Sequence, residues 1–122
     1  MREGSIILTP MPQADGTAKN RPALVLREMP PYRDLLVCGI STQLHQCVEG
    51  FDEVMSSADS DFAPSGLQCD SLIRLGFLAL VPRRRVLGAI GAVDDTRHGR
   101  LLQRLAASLV EPLAGRERRG GP

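Results

Sequence analysis

The run LLVCGIST, Leu35 to Thr42, is apolar at consecutive positions through its first six residues. A strand sends successive side chains to opposite faces, so a short apolar run without alternation is buried on both faces and lies inside a sheet. Such a strand needs a neighbour on each edge and cover on each face. The remainder of a 122-residue chain must supply them, which suits one domain with one core. Only 3% of the residues are aromatic and none is Trp, so that core has to be aliphatic.

Around this centre the sequence offers further strands. GSIILTP reads as a first strand, Ser5 to Thr9, stopped by Pro10, and MPQADGTAKN as a long polar hairpin loop with an Asp15-Gly16 turn. RPALVLRE is the second strand, with Pro22 expected at its start or edge because proline has no N–H for a ladder. After a mixed stretch with turn chemistry at Asp59 to Gly66, CDSLIRLGFLALVP reads as one or two strands, with a bulge expected at Gly76. RRRVLGAIGAV continues the sheet. Leu101, Leu102, Leu105, Leu109, Val110 and Leu113 then recur at helical spacing, with Asp94 or Asp95 as the cap and Pro112 near the end. Residues 1–113 are expected to form a single domain and 114–122 a disordered tail. The pattern implies a mainly β fold, a small barrel or curled sheet with one terminal helix.

Composition removes several classes of function. A net charge of +1 exerts no bulk pull on nucleic acid, so such contacts must come from local clusters. The scarcity of aromatics argues against multi-base stacking platforms. Cys38, Cys47 and Cys69 lack C-x-x-C spacing, which argues against a disulfide framework or a zinc site. No run of 18 apolar residues exists and MREGSIIL lacks the apolar core of a leader, so the expectation is a cytoplasmic protein without metal or cofactor.

The candidate chemistry is carried by arginines and hydroxyls. Arg21 precedes Pro22, which biases it toward an extended backbone at the mouth of a rigid strand. A guanidinium so held can clamp a phosphate in two-point fashion. Ser41, Thr42 and Gln43 end the central strand, where polar side chains either line a site or satisfy local backbone. His45 is two residues on and is a candidate proton carrier; His98, in the first turn of the helix, is expected at the surface. Arg83, Arg84 and Arg85 form the densest basic cluster, read either as a phosphate-contacting patch or as protection of a strand edge.

Taken in order, these pieces resemble the PemK/MazF toxin family. GSIILTPMPQADGTAKNRPALVL is similar to that family's opening strand, polar loop and Arg-Pro-Ala strand. LLVCGISTQ resembles its third strand, and SGLQCDSLIRL its later Gly-Leu-x-x-Asp-Ser-aliphatic strand. The colinear match spans about residues 4 to 113. The resemblance implies an SH3-like small barrel of the MazF/PemK/CcdB type, a homodimer, neutralised by an antitoxin. It also implies metal-independent endoribonuclease action on single-stranded RNA through attack by the ribose 2′-OH. The family's arginine and hydroxyl map onto Arg21 and Ser41, with Thr42 adjacent. Asp15 and His45 are candidate bases, and Lys19, Gln43, Arg74 and Arg83–Arg85 candidate substrate contacts.

One departure accompanies the match. Several relatives follow the Ser-aliphatic strand with an arginine and then an aspartate, and the corresponding positions here are Ala79 and Pro82. Neither pairs with a phosphate; Arg74 and Arg83–Arg85 are the nearby cations. The departure keeps two other readings open. One is a non-catalytic module that binds nucleic acid or an antitoxin; the other is a CcdB-like topoisomerase-binding protein.

Overall fold

The computed structural model describes residues 1–112, so Leu113 and the expected tail 114–122 lie outside the described residues. Six strands form one antiparallel sheet: β1 Ser5–Pro12, β2 Ala18–Met29, β3 Asp34–Ser41, β4 Glu53–Met55, β5 Ser71–Val81 and β6 Gly88–Ala92. Their order is β4-β5-β3-β2-β1-β6. A short helix, α1 (Phe62–Ser65), follows β4, and a longer one, α2 (Asp95–Leu109), closes the described chain. As its composition requires, β3 is interior, between β2 and β5.

β1 runs past the expected stop at Thr9, and the long loop shrinks to residues 13–17. The reason lies in the register. β6 accompanies β1 only as far as Leu8, so Pro10 and Pro12 stand where β1 has β2 alone for a neighbour. A residue without N–H costs no ladder bond on an open side. Pro22 is placed by the same logic. It pairs with Leu8 inside β2, but the pairing of β2 with β3 begins only at Ala23.

Both faces of the sheet are covered. On one face Ile6, Leu24, Leu26, Cys38, Ile40 and Ile73 pack beneath Leu101 and Leu105 of α2. On the other, the curled sheet packs on itself through Ile7, Met11, Ala23, Val25, Leu35, Val37 and Val81. β5 contributes to both layers through the bulge expected at Gly76. Arg74 pairs with Gly39 but Leu78 with Cys38, so Leu75, Gly76 and Phe77 are extra. An odd insertion inverts the alternation. Ile73 and Leu75 therefore face α2, whereas Phe77, Ala79 and Val81 face the second layer.

The curl is completed where α1 meets β6. A Cβ on Gly91 would lie 2.2 Å from the Pro64 carbonyl oxygen, and one on Gly66 would lie 2.0 Å from that of Ile90. Only glycine permits backbones this close.

Asp94 caps α2 by accepting from the Arg97 N–H at 2.7 Å. Leu109 and Val110, which continue the helical apolar spacing, are 67% and 79% exposed; the end of α2 leaves their side chains beyond the cover of the sheet. His98, expected at the surface, is half-buried with Nε2 2.9 Å from the Leu26 carbonyl oxygen.

α2 is also held by ion pairs that sequence spacing does not reveal. Arg97, buried, donates from Nε and Nη2 to Asp61, from Nη1 to Glu53 and from Nη2 to Asp59, at 2.9 to 3.1 Å. Glu53 also accepts from Arg100 at 2.6 and 2.8 Å and pairs with Arg104 at 3.0 Å. Burial alone would raise the Glu53 carboxyl, but the Arg100 bonds and the charges of Arg100, Arg97 and Arg104 outweigh it and hold it low. Asp61 is likewise held low: burial opposes ionisation, and the Arg97 bond and Asp94 N–H overcome it.

A candidate phosphate-binding groove

Strand register brings the candidate residues together. Ala23 pairs with Gly39, and two residues beyond that last pair β2 carries Arg21 and β3 carries Ser41. On the other side of β3, Arg74 pairs with Gly39. Alternation puts all three on the sheet face away from α2. There a groove of about 330 Å³ opens at the end of β3.

Each wall has a local cause. Arg21 and Pro22 enter from β2, and Met11 with Gln13 from the end of β1. The end of β3 supplies Gly39, Ile40 and Ser41, and the one-turn helix Leu44–Gln46 that follows carries Gln46 beside Thr42 and Gln43. β5 supplies Ser71, Arg74 and Phe77. The Phe77 ring lies over Gly39, where a Cβ would sit 2.8 Å from it, so the glycine makes room for the aromatic. The Arg74 guanidinium carbon lies 5.4 Å from the centre of that ring, within cation–π range.

Among the described residues, neither Arg21 nor Arg74 has an ion-pair partner, and the lining contains no carboxylate, imidazole or thiol. Two unneutralised guanidinium groups beside hydroxyls and amides suit a bound oxyanion. Ser41 Oγ accepts from the Gln43 N–H at 3.0 Å, which fixes the oxygen and leaves its hydrogen free to donate outward.

Arg21, Ser41, Thr42, Gln43 and Arg74 thus share the groove, whereas Asp15, Lys19 and His45 flank it on neighbouring segments without lining it. Asp15 sits at the β1–β2 tip and accepts from the Thr17 hydroxyl at 2.6 Å and N–H at 3.0 Å. Those bonds, the hydroxyl's foremost, hold its carboxyl below the usual range and weaken it as a base. Arg83–Arg85 form a 3₁₀ turn at the opposite end of β3, roughly 20 Å from Ser41 at about 3.3 Å per residue. Arg83 is committed there to Glu28 and the Arg33 carbonyl, while Arg84 and Arg85 are exposed.

Gln13, Gln46 and Phe77 escaped the sequence reading. Gln13 and Gln46 stood in polar stretches without a motif, and Phe77 reaches the groove only because the bulge turns it there. Ala79 packs in the second layer and Pro82 precedes the Arg83 turn, so neither lines the groove. Among the described residues, no group of three or more His, Cys, Asp or Glu could hold a metal ion, and no helix is long and apolar enough to cross a membrane.

Comparison with known proteins agrees with this architecture. The fold is similar to that of the Mycobacterium tuberculosis toxin MazF-mt6, with a TM-score of 0.60 at 20% identity, over 86% of this chain and 95% of that one. No curated protein matches the sequence. Residues 2–109 match the family described as PemK-like, MazF-like toxins of type II toxin–antitoxin systems. With nearly the whole described chain inside that match, the protein belongs to the PemK-like, MazF-like toxin family.

Proposed function

We propose that this toxin is an endoribonuclease of the cytoplasm that cleaves single-stranded RNA without a metal ion. The observation that carries the reading is the groove itself: Arg21, Ser41 and Arg74 converge from three strands with no carboxylate among them. The ribose 2′-OH attacks the adjacent phosphorus as a base takes its proton. The P–O5′ bond breaks, the leaving oxygen gains a proton, and a 2′,3′-cyclic phosphate remains. Arg21 stabilises the charge that builds on the phosphoryl oxygens, and Ser41, with Thr42 beside it, donates to a nonbridging oxygen. His45, on the turn flanking the groove, is the preferred base, since Asp15 is weakened by Thr17. Arg84 and Arg85 add distant phosphate contacts to a longer strand.

Incubation of the purified protein with mixed RNA in EDTA, followed by mapping of the ends, is expected to give cyclic-phosphate and 5′-hydroxyl termini. Activity that needs added Mg²⁺ would overturn the reading. One observation favours a second one: the lining holds no base. A protein that binds RNA but never cuts it is then a binding module controlled by the same antitoxin.

The toxin is also proposed to act as a two-fold homodimer held in check by a cognate antitoxin. Leu78 and Leu80, two residues apart on one face of β5, are 38% and 58% exposed, and Leu36 pairs with Leu80. Apolar area of this kind is normally covered by a partner. Sedimentation equilibrium is expected to give twice the 13.2 kDa chain mass; a monomer mass throughout the micromolar range would rule the dimer out.

A further inference from the structure

The groove contains more than a phosphate site needs, and the surplus has a fixed polarity. Gln13 Nε2 donates to the Met11 and Pro12 carbonyl oxygens, each at 3.1 Å. Only the NH₂ end of an amide can face two carbonyls, so the orientation of Gln13 is settled and its donors are occupied. What Gln13 offers a groove ligand is its carbonyl oxygen, an acceptor. The one aromatic ring in the lining, Phe77, is backed by Gly39 and carries the Arg74 guanidinium over its face. A guanidinium plane held over a ring is a surface on which a base stacks.

Resting on the RNA reading above, we infer that the groove is also a one-base recognition pocket. The base next to the bound phosphate stacks on the Arg74 guanidinium, which the Phe77 ring supports, and donates an exocyclic amine to Gln13 Oε1. The substrate class is therefore RNA with adenine or cytosine at this position. Uracil and guanine place a carbonyl oxygen where those bases carry the amine, and two acceptors facing each other lose the hydrogen bond and repel. Gln43 and Gln46 also line the groove and supply further amides for the remaining edge.

The test uses nine-residue A, C and U oligonucleotides with 2′-O-methyl riboses, which cannot undergo 2′-OH attack, and reads affinity by fluorescence anisotropy. The wild type is expected to bind the A and C oligomers about 2- to 12-fold more tightly than the U oligomer, the scale of one neutral hydrogen bond. Gln13→Met keeps the length of the side chain and is expected to bring that ratio to about one. Phe77→Leu keeps apolar volume but loses the ring that holds the Arg74 plane, and should weaken all three roughly 5-fold or more. Melting temperatures of both variants exclude unfolding as the cause. Equal wild-type affinities, a preference for U, binding to none of the three, or a preference surviving in Gln13→Met would each overturn the pocket. Cleavage of unmodified RNA, measured in parallel, reads the nuclease proposal separately. Cleavage without amine preference removes the pocket alone, and amine preference without cleavage removes the nuclease alone.

Discussion

Arg21→Lys is expected to lower the rate of RNA cleavage about a hundred- to thousandfold while leaving the fold intact. The side chain is exposed and without an ion-pair partner among the described residues. Its replacement should therefore change stability by no more than about 0.5 kcal/mol. Lysine retains the charge but not the planar fork, and it cannot hold two phosphoryl oxygens in register with Ser41. Loss of one donor aimed at developing charge is worth about 2.7–4 kcal/mol, which sets the expected range. Ser41→Ala should slow cleavage less, because Thr42 lines the same groove. Arg84→Ala, far along β3, should instead weaken binding of long RNA and flatten its salt dependence. Single-turnover rates, affinities and melting temperatures for the three variants decide the matter. If Arg21→Lys cleaves as fast as the wild type, the strand-mouth arginine is ordinary surface charge and the reaction occurs elsewhere.

The parts of this arrangement that follow from local chemistry were legible in the sequence. An unbroken apolar run placed β3 in the interior, and Arg-Pro against RPALVL and the hydroxyls after LLVCGI marked two strand ends. Relations between distant strands were not legible. The sequence offers Arg74 as a candidate substrate contact without its place, and it joins the groove because β5 pairs it with Gly39. Phe77 arrives through three inserted residues whose number, not merely whose presence, decides the face. Pro10 read as a stop because a lone strand gives no hint that its outer edge is unpaired beyond Leu8. Leu109 and Val110 kept helical periodicity after the helix had outrun the sheet, so the pattern continued where its partner did not. The Arg97 network was invisible for the same reason, since its partners lie 36 to 44 residues away.

That network carries the largest expected effect on stability. Arg97→Met should destabilise the protein by about 3–5 kcal/mol, since it leaves Asp61 buried without its cation and withdraws one of three from Glu53. Against a typical total of about 5–15 kcal/mol, the variant stands near the edge of folding. Arg97→Met combined with Asp61→Asn removes both charges of the most buried pair and should recover part of the loss. Failure of the double variant to recover any would mean that Arg97 acts through packing rather than charge. The same carboxylates fix the response to acid. Glu53 and Asp61 have folded-state pKa values below their unfolded ones, so the unfolded chain binds protons first. Their contribution is complete above the unfolded carboxylate range, near pH 4, and is lost as pH falls through the lower, folded values. The wild-type melting temperature should therefore fall steeply below about pH 4. Glu53→Gln should begin from a lower value and fall less steeply, because one of the groups that links protons to unfolding is gone. Parallel acid profiles for the two proteins would show that Arg100 and Arg104 cradle Glu53 without coupling it to the fold.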